Sequence, residues 1–484
     1  MADFDFAASL QEQISALFHH RVHLVVRSIS PSVAICYMPQ HVDTKQLHTS
    51  ILSPLLQLGQ TPTIEDLRSS LPIGEIMDIA AIPECAPLIV KGWVYIATPQ
   101  AGIAANVADL PKRSLTSPEN ETTILGPMVA FTESIGMNTT LLRTSIPDTE
   151  LCSEEYKMGN KRNTTIHLMF MADRANPDRV ELVRQRIKQL RLNDVTGSSE
   201  LMHMIQDNDL SVFPQLMLTE RIDLASHSLI EGKIIILLDG SPLVIVGPSE
   251  FIDFFLSMED RYLGWGIGTF IRALRMVALI LSVFLTPAYV AALTFHYEII
   301  PSSLLVSLIE SRSKVPFPPL FETIILEVTM ELLREAGARL PTKVGQTMGI
   351  VGGIVIGQAA VQAGFTSNIL IMLVALAALG SFATPDYLMS SSLRLVRYPM
   401  VIFAGMWGSI GIVFVTSLVT MHLIRQTSLG RPYFSPVHPI KESDLAYDEV
   451  LLPEPKGLTA TGHKVRKYVR SISLRSLWTG KIDD

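Results

Sequence analysis

GQTMGIVGGIVIGQAAVQAGF, residues 345–365, sets glycine at 345, 349, 353 and 357 in an otherwise apolar run. In water this is a poor helix, because each interior glycine costs about 0.8 to 1 kcal/mol relative to alanine. In lipid the backbone must satisfy its own hydrogen bonds, and small residues four apart let a neighbouring helix approach to van der Waals contact. Gly345, Gly349, Gly353 and Gly357 are therefore expected to form a helix-packing face, with Gln358 and Gln362 available for interhelical hydrogen bonds.

The surrounding charges support a membrane domain. Asp, Glu, Lys and Arg are absent from the 42 residues between Lys343 and Asp386, the 27 between Arg397 and Arg425, and the 22 between Arg275 and Glu298. A bilayer core takes about 20 apolar residues, so these intervals fit spans at 276–297, 345–363, 368–385 and 399–424. Mean hydropathy over the 484 residues is +0.33. The start, MADFDFAASLQEQISALFHH, has no basic leader, which gives the expectation that the first 270 residues are cytoplasmic. Arg272 and Arg275 stand just before the first span and favour a cytoplasmic start. Trp265, in an amphipathic approach at 256–275, is an interfacial anchor candidate. Pro287 is expected to interrupt the first span. Four spans return the tail, 425–484, to the cytoplasm, although Arg394 and Arg397 then sit outside; a fifth span at 320–340 reverses this. From Lys456 onward the tail carries seven basic residues and two acids, suited to anionic lipid.

The soluble region reads as two small α/β units, 1–110 and 146–255, joined by a linker region at 111–145 that opens on a polar, proline-bearing stretch. Strands are expected at 23–29, 32–38, 88–97 and 166–172, and helices at 63–71 and 176–190, the latter opened by Asn176 and Pro177. KIIILLDGSPLVIVGP, 233–248, reads as a hairpin turning at Asp239 and Gly240. Nothing resembles a phosphate loop, a zinc-protease helix, a nucleophile elbow or a dinucleotide fingerprint, so no enzyme, metal or cofactor is expected. Cys36, Cys85 and Cys152 are too scattered for a zinc site and are expected to be reduced. His19, His20 and His23 are expected to be ordinary residues, and a net charge of −7 points to no nucleic-acid partner.

Between the spans lies 301–341, an interfacial or pore-lining region. On a helix, Glu327, Glu331 and Glu335 share one stripe with Arg334 beside it, while Ile324, Ile325, Val328 and Leu332 cover other faces. Carboxylates there cannot face lipid cheaply. A surface-lying amphipathic helix, a water-filled vestibule or pore that attracts cations, and a proton or substrate site in a transporter all accommodate the stripe. A transporter usually shows more spans and an internal repeat. A non-conducting scaffold has no use for aligned acids.

PFPPLFETIILEVTMELLREAGARLP (316–341), the glycine stretch that follows, and RQTSLGRPYFSP (425–436) resemble the A subunits of the GerA-type spore germination receptors of Bacillus and its relatives. So do ILGPMVAFTESIGMNTTLLR (124–143), NDLSVFPQLMLTERID (208–223) and LLDGSPLVIVGP (237–248). The resemblance implies a subunit of a nutrient sensor in the spore inner membrane, working with a transporter-like, multi-span B subunit and a lipoprotein C subunit. It also implies oligomers of A subunits that conduct monovalent cations. Ser117-Pro118 and Leu125 depart from the Glu-Pro and Arg found at these places in many members, which puts a salt bridge in the linker in doubt. A related spore protein that amplifies germination has the same architecture and remains an alternative.

Overall fold

The computed structural model describes residues 5–19, 21–58, 62–108, 118, 121, 123–158, 164–190, 195–339 and 357–435. The chain divides into two compact units. One comprises Met1–Asp209, Gln215–Ser249 and Ser428–Arg431, and the other Leu210–Pro214, Glu250–Thr427 and Pro432–Asp484.

The first unit holds two five-stranded antiparallel sheets. β1 (Val25–Ser30), β2 (Val33–Tyr37), β3 (Ile76–Ile79), β4 (Trp93–Ala97) and β5 (Gly102–Asn106) lie in the order β1-β2-β4-β5-β3. Alternate residues of β2 serve two cores, as a two-residue side-chain period requires. Ala34 and Cys36 meet α1 (Asp5–Leu17), while Val33 and Ile35 pack with Leu67 of α2 (Ile64–Ser70). Thr63 starts α2 with a reciprocal capping box to Asp66. Residues 88–97 are a correction to the expected strand: α3 (Ile82–Val90) occupies the first part, and only β4 is extended. Pro83 in the first turn and Gly92, at φ +85°, are the start and stop signals that outweigh the apolar run.

The second sheet, β6 (Leu151–Met158), β7 (Thr164–Met171), β8 (Met217–Thr219), β9 (Ile234–Leu238) and β10 (Val244–Gly247), has the order β6-β7-β9-β10-β8. α4 (Ile135–Ser145) and α6 (Ile222–Ile230) cover one face through Leu142, Ala225 and Leu229. α5 (Pro177–Gln189) begins as expected with the Asn176 carboxamide accepting the Asp178 N–H. β9 and β10 do pair, but the pairing of Ile245 with Ile236 leaves a loop longer than a two-residue turn beyond Leu238. Cys36, Cys85 and Cys152 are buried free thiols.

The second unit is helical: α7 (Trp265–Thr294), α8 (Ser302–Arg312), α9 (Pro319–Arg339), α10 (Asn368–Phe382), α11 (Tyr387–Trp407) and α12 (Ser409–Arg425). α7, with 30 residues and about 45 Å of axial rise, is the one helix among the described residues long and apolar enough to cross a bilayer; α10 and α12 are shorter and apolar. It joins the second half of the expected approach, from Trp265, to most of the span expected at 276–297 in one helix, which continues through Pro287 rather than stopping there. Arg272 lies inside that helix, and its Nε donates to Asp260 at 3.2 Å. The region 301–341 is two helices, α8 and α9. Residues 399–424 are likewise not one helix. α11 begins at Tyr387 and stops where Gly408 adopts φ +62°, and α12 follows. A side chain at Gly408 would be strained there. Most of 345–363, including Gly345, Gly349 and Gly353, and the tail from 436 lie outside the described residues.

Candidate functional site: a paired acid ladder in the helical unit

The acids of α9 that sequence periodicity aligns are matched by arginines. Glu327 Oε2 lies 2.7 Å from Arg397 Nη2, with side chains 2% and 5% exposed. Four residues on, Glu331 lies 3.4 Å from Arg394 and 3.0 Å from Arg334. Glu335 reaches Arg339, also on α9, at 2.5 Å, and both are exposed. Acids at i and i+4 on α9 thus meet arginines at j and j−3 on α11, the complement expected of two antiparallel helix faces.

Packing fixes the arginines. Arg397 Nη1 donates to the Ser282 carbonyl of α7 at 3.2 Å, so this pair links three helices. Arg394 donates to the hydroxyls of Ser390 and Ser391, both at 2.8 Å. Arg334 lies 5.0 Å over the Phe382 ring and donates to Ser381 Oγ at 3.3 Å, which ties α9 to α10. Beside this 2.7 Å contact, the Thr286 side chain of α7 also interacts with the Glu327 carboxylate. Two charges buried in this way are costly to part, because each then lies uncompensated in a low-dielectric surround.

Sequence reasoning missed Glu322, which stands off the stripe. It is fully buried, accepts from Ser367 N at 2.7 Å and Thr366 Oγ1 at 3.1 Å, and lies 3.5 Å from Arg312 of α8. Arg394 and Arg397 were visible only as charges bearing on orientation. Their three-residue spacing was the available signal that they form a face.

The remaining site candidates fall elsewhere. Arg275 Nη1 donates to Asp260 at 2.9 Å and to the Phe255 carbonyl at 2.7 Å, so both arginines flanking the first span are engaged by protein groups. Trp265 is exposed at the first position of α7. Gly357 is described, and a Cβ there would meet nothing within 4 Å. Close helix approach is instead seen at Gly380 of α10, where a Cβ would lie 2.5 Å from the Ala278 carbonyl oxygen of α7.

Comparison with known proteins adds the following. The family profile described as Bacillus/Clostridium GerA spore germination protein matches residues 12–456. Spore germination protein GerQA of Bacillus cereus is 41% identical over 450 residues, covering 92% of this chain and 90% of that protein. Spore germination protein KA of Bacillus subtilis (strain 168) is 35% identical over 413 residues, 84% of this chain and 76% of that one. Among solved structures, the N-terminal domain of the A subunit of the Bacillus megaterium spore germinant receptor GerK3 is 23% identical, with a TM-score of 0.39, covering 50% of this chain and 93% of that domain.

Proposed function

Since the chain belongs to the GerA family of spore germination proteins, we propose that it is a membrane subunit of a nutrient-germinant receptor, and that copies of it assemble into a gated cation channel. In this reading the ladder is the closed latch. Glu327 and Glu331 are neutralised by Arg397 and Arg394 at rest, and a shift of α9 against α11 frees carboxylates toward a water-filled path, where they attract monovalent cations. The observation that carries the proposal is the Glu327–Arg397 pair: a charge pair buried between two helices of an apolar unit, whose members are costly to leave uncompensated, supplies a two-state element. The family resemblance supplies the B and C subunits as partners, the spore inner membrane as the location and no catalytic role. In this reading both termini lie on the cytoplasmic side.

A second reading is favoured by the same pairing. If the acids never leave their arginines, the ladder is an internal brace and the chain a non-conducting scaffold for its partner subunits. Potassium efflux from liposomes holding the purified chain, alone and with Arg397→Met, separates the two. A channel gives cation-selective efflux that the substitution increases, whereas a scaffold gives none in either case.

A further inference from the structure

The first unit contains a buried arginine with no counter-charge among the described residues. Arg143, on α4, is 2% exposed, and one of its donors, Nη1, reaches the Leu151 carbonyl at 3.1 Å. Its other terminal nitrogen, Nη2, is buried without a hydrogen-bond partner, and no carboxylate lies within 4 Å of the guanidinium among the described residues. The Cys152 thiol beside it cannot serve, because burial pushes its pKa up and keeps it neutral. Burial also lowers Arg143, to about 10, which leaves it cationic at neutral pH.

Arg143 lines a cavity of about 30 Å³ together with Gln40, His41, Thr139 and His167. His41 is 1% exposed; its Nδ1 donates to the Val90 carbonyl at 2.8 Å, and its Nε2 is buried with no partner. His167 is spoken for at Nδ1, which donates to Thr139 Oγ1 at 2.8 Å while that hydroxyl donates to the Ile135 carbonyl. The other charged or titratable groups are His23 and Glu155, which line the cavity but are exposed, and Asp239, which acts on His167 electrostatically. Glu155 lies 3.5 Å from Lys157, so its charge is met by solvent and lysine rather than by Arg143.

We propose that this cavity binds one small monovalent anion, a halide or the carboxylate group of a small acid, held by Arg143 and His41. A lone buried cation is costly and water leaves its charge uncompensated, whereas an anion removes that cost. The inner space of about 30 Å³ has room for a group the size of a water molecule or two beside Arg143. With Nδ1 committed to Val90, a neutral His41 presents a lone pair at Nε2; anion binding turns it into a donor by proton uptake. Binding is therefore proton-linked. Because Gln40 and His41 adjoin the first sheet while Arg143 and His167 belong to the second α/β subunit, occupancy ties the two halves of this unit together.

The test uses the purified full chain in detergent, prepared in methanesulfonate and titrated at constant ionic strength with chloride or formate. The unfolding midpoint of the soluble unit should rise saturably, by about 5 to 10 °C at a hundredfold excess over Kd. Chloride alone points to a halide site, and formate outcompeting chloride to a carboxylate site. Arg143→Gln should abolish the rise. Should that variant not fold, chloride-35 linewidths of the wild-type protein decide, since specific binding broadens them and excess bromide, or formate at a carboxylate site, reverses the broadening. The chloride Kd should fall by up to about tenfold per unit as pH drops from 7 to 5, and His41→Gln should flatten that slope. No midpoint shift and no reversible broadening with either anion overturns the proposal, and binding of unchanged affinity across pH overturns the part given to His41.

Discussion

Replacing Arg397 by methionine removes one partner of a pair whose members are 5% and 2% exposed and 2.7 Å apart. At an effective dielectric of 20 their attraction is about 6 kcal/mol, and most of that offsets desolvation. Leaving Glu327 buried alone is expected to cost about 3 to 5 kcal/mol, less what is recovered if the carboxyl takes a proton. Glu327→Gln combined with Arg397→Met removes both charges and should recover most of the loss, giving a coupling of about 2 kcal/mol or more. The exposed pair Glu335–Arg339 is the internal control, and its removal should change stability by less than about 0.5 kcal/mol. Thermal or denaturant unfolding of the purified chain in detergent, carried through as a double-mutant cycle, reads all of these. Additive losses in the cycle, or a single-variant cost as small as the control's, would refute the buried latch.

Gly380→Ala places a methyl group 2.5 Å from the Ala278 carbonyl oxygen and 3.3 Å from the Ser282 nitrogen, both backbone atoms of α7, so the helices must part at a cost of about 1 to 3 kcal/mol, read as a lowered unfolding midpoint. Burial depresses His41 from 6.5 to about 4. Between those values the unfolded chain takes up a proton that the folded chain refuses, so stability falls as pH drops through this window, by about 3 kcal/mol in all in chloride-free buffer; His41→Gln should remove that slope from pH-dependent unfolding curves. Gly353→Leu should reduce crosslinked oligomers if the 345–357 stripe is an assembly face, and an unchanged ladder of crosslinked species counts against it.

Much of the fold of the first unit was legible because its signals are local. The Asn176–Pro177 helix start and the short apolar runs of β1, β2 and β7 each point one way. Residues 88–97 were misread because a short apolar run has no period of its own, and Pro83 and Gly92 carry the information. In the helical unit, hydropathy located apolar stretches but not helix ends. Arg272 and Arg397 border the charge-free intervals in sequence, yet both lie inside helices, paired with Asp260 and Glu327. The acid stripe was legible from a four-residue spacing. Its partners were not, since pairing across helices depends on their relative direction, which no single segment encodes. The Arg143 cavity was invisible for the same reason, as its lining comes from separated stretches.

The account rests on the ladder being the latch of a conducting path, and planar-bilayer recording of the purified chain tests that claim most directly. The wild-type protein is expected to open rarely, with potassium preferred over chloride; Arg397→Met should raise open probability, and Gln at 327, 331 and 335 together should reduce the cation preference while the chain stays folded. Absence of current from folded wild-type and Arg397→Met protein alike, or a conductance whose selectivity ignores the three acids, would contradict it.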